Sequence, residues 1–161
     1  MKEAAGWERP ANLMTARLRL LFVCENSDAC SCFQSYLERE GCHLLLATDT
    51  RHAVRIVLSA CSVDAILIHH DDIGRGSTIS SGLRLICPRM PVLLLTAEWP
   101  GNGALPFGVD ALCYANSLSR RAAHDIAKFV RHLLLKGSRR PFDGPHDSGS
   151  RFVSQWPTHL N

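Results

Sequence analysis

Pro91-Val92-Leu93-Leu94-Leu95-Thr96-Ala97 decides the fold. Its apolar centre, 92–95, is unbroken, too short for a helix, and lacks the alternation of a strand with one wet face. It reads as a strand covered on both sides, as in a parallel sheet. Four more runs of the same kind lie at 18–23, 43–47, 65–68 and 111–114. Successive starts are roughly 19–27 residues apart, too far for hairpins and right for strand–helix–strand crossovers.

The intervening segments carry helical spacing. Ala29, Phe33, Tyr36 and Leu37 share one face, with Asn26, Ser27 or Asp28 to cap the start and Gly41 to end the turn. Ala53, Ile56, Val57 and Ala60 repeat the pattern after Asp49-Thr50, and Ile79, Leu83 and Ile86 do so before Pro88. The last stripe is the longest: Ala123, Ile126, Ala127, Val130, Leu133 and Leu134 behind a Ser119 cap. Residues 97–108 hold two prolines and three glycines, so a loop is expected where the fourth crossover helix belongs. The expected fold is α/β, a doubly wound five-stranded parallel sheet in the order 2-1-3-4-5, with that helix shortened or lost.

Composition bounds the function. The chain has 161 residues, 46% apolar and 20% charged, which suits one core. Its net charge of +3 is too small to mark a nucleic-acid binder. No apolar run approaches the ~18 residues of a membrane span, and the acids and proline within residues 1–10 do not make a signal peptide. A cytoplasmic protein is expected, with tails at 1–16 and 136–161 around a domain at 17–135. The seven cysteines (24, 30, 32, 42, 61, 87, 113) include no C-x-x-C pair, so they are expected as reduced thiols rather than a disulfide framework.

In such a sheet ligands gather beyond the carboxyl ends of the strands, where the strand order reverses. The residues delivered there are Cys24 and Glu25, His69 and His70, Thr96, and Ala115-Asn116. Asp71 and Asp72 follow the third strand and read as solvated loop acids. Together Cys24, Glu25 and His69, with His70, Asp71 and Asp72 nearby, offer donors that suit Zn²⁺ better than Mg²⁺. A Cys24–His69 nucleophilic couple lacks an evident oxyanion donor, so no enzyme is expected.

Over residues 17–135 the chain resembles the receiver domains of two-component response regulators. Arg19-Leu20-Leu21-Phe22-Val23-Cys24-Glu25 looks like the opening strand, Asp64-Ala65-Ile66-Leu67-Ile68-His69 like the third, the 91–97 stretch like the fourth, and Gly108-Val109-Asp110-Ala111 like the approach to the fifth. The resemblance implies an acidic pair holding Mg²⁺, an aspartyl phosphoacceptor, a hydroxyl and a lysine. Here those positions carry Cys24 and Glu25, His69, Thr96, and Ala115 (Asn116 if the register slips by one).

Only Glu25 and Thr96 keep the pattern, so a degenerate receiver is expected, acting in phosphorelay-type, bacterial-type signalling without phosphorylation and without a cofactor. Its partner is expected to be another signalling protein, with a homodimer possible and neither nucleic acid nor membrane involved. Trp99, Leu105 and Phe107 in the 97–108 loop are the expected interface anchors. The alternative is a phosphorylatable receiver whose acceptor has moved to Asp71 or Asp72, with Mg²⁺. A third reading is a transition-metal sensor.

Overall fold

Five parallel strands, β1 (Leu18–Cys24), β2 (Cys42–Ala47), β3 (Ala65–His69), β4 (Val92–Thr96) and β5 (Ala111–Tyr114), form one sheet in the order β2-β1-β3-β4-β5. This computed structural model describes residues 17–59, 62–98, 105–114 and 118–137. The helices are α1 (Ser27–Arg39), α2 (Thr50–Ser59), α3 (Ile73–Ile86) and α4 (Arg120–Gly137). The expected order and strand positions hold, because strands covered on both faces must be apolar throughout. Every residue of β4 is buried, and in β1 only Arg19 is not.

Local chemistry sets the helix ends. The Asn26 side chain accepts the Ala29 N–H at 3.1 Å and starts α1. Gly41, at φ 84°, ends it in the left-handed conformation that glycine adopts without strain. Asp49 accepts the His52 N–H at 2.7 Å at the head of α2. Asp72 caps α3, accepting the Arg75 N–H at 3.1 Å. It remains solvent-exposed, as read from the sequence, but carries the added role of a cap, and its backbone hydrogen bonds hold its carboxyl below the usual range.

Packing then fixes the helices on the sheet. Phe33 of α1 meets Phe22 of β1 at 6.1 Å between ring centroids, so the face carrying Cys30, Phe33 and Leu37 points at the strands. In α3, Ile79 and Leu83 are buried, but Ile86 is 41% exposed and leaves the stripe expected for it. The α4 stripe is buried at Ala123, Ile126, Ala127, Val130 and Leu134. That helix runs to Gly137, two residues into the expected tail; the rest of both tails, 1–16 and 138–161, lies outside the described residues. Arg131 donates to the Glu40 carbonyl at 2.7 Å, while His124 Nδ1 lies 2.9 Å from the Glu40 carboxylate.

Between β4 and β5 no helix occurs among the described residues. Arg84, near the end of α3, fastens this side of the molecule. Its guanidinium donates to the carbonyls of Pro88, Met90 and Gly108 and pairs with Asp110. Asp110 in turn accepts the Val92 N–H at 2.8 Å.

Candidate functional site

The strand order reverses between β1 and β3, and there Cys24 and His69 are direct partners across the ladder. Both end their strands at the carboxyl edge, so the crevice that the topology creates opens over them. The Nδ1 of His69 lies 3.6 Å from Cys24 Sγ and 3.5 Å from Cys30 Sγ. Cys30 arrives from the first turn of α1, turned inward by the packing of Phe33 one turn later. The two sulfurs themselves are in disulfide contact.

That contact corrects the expectation of seven unlinked thiols. No C-x-x-C spacing announced it, because the cysteines converge from a strand end and a helix start. Cys32, Cys42, Cys87 and Cys113 remain free, and Cys61 lies outside the described residues. The expected donor set of Cys24, Glu25 and His69 is also corrected: Cys30 takes the place of Glu25. The Glu25 carboxylate stands 3.5 Å from His70 Nε2 instead. His70 Nδ1 accepts the Asp72 N–H at 2.9 Å, which leaves the proton of a neutral His70 on Nε2, facing Glu25.

The other ring nitrogen of His69 faces the exposed Asp71, with Nε2 to Oδ1 at 3.8 Å. Burial depresses the basicity of His69, outweighing the opposite pull of Asp71, with His70 adding to the depression. The imidazole is therefore neutral near pH 7. Thr96, fully buried, donates its hydroxyl to the Asp71 carbonyl at 3.3 Å and accepts the Glu98 N–H at 3.1 Å. It braces the two loops above the crevice.

An Mg²⁺–phosphate centre does not fit these donors. Magnesium takes oxygen ligands in near-octahedral array, whereas two sulfurs and an imidazole nitrogen fill the pocket. Of the two alternative acceptors, Asp72 is committed to the α3 cap and Asp71 is turned to the His69 ring. Ala115 and Asn116 lie outside the described residues, as does Trp99. Phe107 is 78% exposed, and Leu105 is half-buried against the core.

No family model matches the chain, and no curated protein does. Solved structures share its fold. A chemotaxis response regulator of Vibrio cholerae is 16% identical, covering 71% of this chain and 99% of its own, with a TM-score of 0.60. A two-component response regulator from Clostridium difficile is 19% identical over 71% of this chain and 96% of its own, at 0.59. A response regulator of Thermotoga maritima, solved in complex with Mg²⁺-BeF, is 18% identical over 70% and 98%, at 0.58. The fold is thus the CheY-like fold of receiver domains. A pilus assembly-related protein of Burkholderia pseudomallei shares it too, 14% identical over 73% and 92%, at 0.60.

Proposed function

We propose that this chain is a receiver-type module of two-component signalling that transmits by binding another signalling protein and does not use aspartyl phosphorylation. The observation that carries the reading is the pairing of Cys24 with His69 at the strand-order reversal. In the resemblance these are the positions of a magnesium carboxylate and of the phosphoacceptor. Phosphoryl transfer depends on positioned charge, and neither a thiol nor a neutral imidazole supplies it.

Thr96 supports the same reading, since its hydroxyl is already engaged by Asp71 and Glu98. A module that keeps the scaffold without the charge set can still present surfaces to a partner. Phe107 is the exposed aromatic on such a surface. The test is incubation of the full chain with a small acyl phosphate and Mg²⁺, followed by intact mass. The expected result is an unchanged mass. An adduct of about 80 Da mapped to Asp71 or Asp72 overturns the proposal in favour of a relocated acceptor.

A further inference from the structure

We infer that Cys24, Cys30 and His69 form a zinc site in the reduced protein. The three donors come from the end of β1, the start of α1 and the end of β3, and all lie within 4.8 Å of one another. Zinc bound at its usual distances to sulfur and imidazole nitrogen in a tetrahedron separates those two donors by about 3.5 Å. The observed separations from His69 Nδ1 are 3.6 Å to Cys24 and 3.5 Å to Cys30.

The backbone points the same way. The Cα atoms of Cys24 and Cys30 stand 7.2 Å apart. Disulfides span roughly 4.4–6.8 Å between Cα atoms, and wider pairs require the backbone to move. An ion between the sulfurs separates them and takes up the extra span. The third sign is outside the donor set: His69 turns its other nitrogen toward the Asp71 carboxylate. At 3.8 Å the two are just beyond a hydrogen bond, and a small closure on metal binding brings them to the carboxylate–histidine pairing that orients ligating histidines.

Two sulfurs and a nitrogen select zinc over magnesium or calcium. Binding converts two thiols into thiolates and releases two protons to solvent; His69 binds as the neutral ring, and no electron is transferred. Among the described residues the group has three members, so the fourth position falls to water or an exchangeable ligand. The inference stands on this geometry and does not depend on the signalling role.

The test is metal analysis of the full chain, kept in a thiol-free reductant and away from chelators, then stripped and titrated with Zn²⁺ against a chromophoric chelator. About one zinc per chain is expected, with thiolate charge-transfer absorption when Co²⁺ replaces it. Cys30→Ser and His69→Ala are expected to abolish competition with the chelator, and Cys32→Ser to leave it intact. Asp71 is exposed, so Asp71→Asn keeps the fold and is expected to weaken binding about ten- to a hundredfold; it decides the matter if the buried variants fail to fold. Zinc binding that is absent while mass shows both thiols reduced, a persistent disulfide under reductant, or affinity unchanged in Asp71→Asn and Cys30→Ser overturns the inference.

Discussion

Thr96 Oγ1 lies 3.3 Å from the carbonyl oxygen of Asp71, so the end of β4 holds the loop that follows β3. The same oxygen receives the Glu98 N–H. Thr96→Val keeps the shape and removes both links, leaving the Asp71 carbonyl and the Glu98 N–H to water. It is expected to lower stability by about 0.5–1.5 kcal/mol, read from the midpoint of urea unfolding, while Thr96→Ser recovers most of the loss.

Gly76 sits inside α3 directly over Leu94 of β4. A Cβ at Gly76 would fall 2.5 Å from Leu94 Cδ1 and 3.0 Å from Cδ2. Leu94 is fully buried and has no room to withdraw. Gly76→Ala is therefore expected to destabilise the protein by about 1–3 kcal/mol despite its better helix propensity. In the Leu94→Ala background the same change should be neutral or stabilising; a double-mutant cycle by chemical denaturation measures that sign change.

Arg84 ties the end of α3 to the segments that lead into β4 and β5. Arg84→Ala strands three carbonyls and the Asp110 carboxylate. The expected cost is about 1–3 kcal/mol. Arg84→Lys should restore less than half, since an ammonium cannot spread over that fork of acceptors. Thermal unfolding of the three proteins checks the ranking.

Burial pushes the Cys42 thiol up to about 11, and that of Cys113 up to about 12, from an ordinary 9.0. Iodoacetamide at pH 8 is expected to modify exposed Cys32 first and to spare Cys42 and Cys113 in the folded chain, as peptide mapping would show. A pH effect follows. Below pH 9 these thiols are protonated in both states and contribute no slope. Above it the unfolded chain ionises first, holds fewer protons than the folded one, and stability falls as pH climbs toward 11. Urea midpoints at pH 8 and pH 10 measure that fall, and Cys42→Ala should flatten it.

Strand positions were legible because a strand buried on both sides is apolar along most of its length, as 20–24 and 92–95 are, with Arg19 at one end of the first and Thr96 at the end of the second. The α1 and α4 stripes were legible for a related reason: each buries one continuous face. Ile86 misled because it lies at the end of α3, where the apolar spacing continues after the sheet has stopped covering it. Asp72 was missed as a cap because Gly74, Gly76 and three polar residues separate Ile73 from Ile79 and interrupt the apolar stripe over the first turns of α3.

At the crevice, Cys24 and His69 could be placed from the strand order, since both end neighbouring strands. Cys30 could not. Its approach depends on the rotation of α1 about its axis, which the Phe22–Phe33 contact sets. Cys24-x5-Cys30, a thiol at a strand end and another in the next helical turn, is the signal that was available.

The Arg131 contact with Glu40 has a consequence for biosynthesis. The guanidinium satisfies a carbonyl at the corner between α1 and β2, 91 positions earlier in the chain. A nascent polypeptide leaves the ribosome amino end first, so that corner stays open to water until nearly the whole of α4 has emerged. The first βα unit is thus sealed by a residue of the last helix in the fold, made 91 positions later.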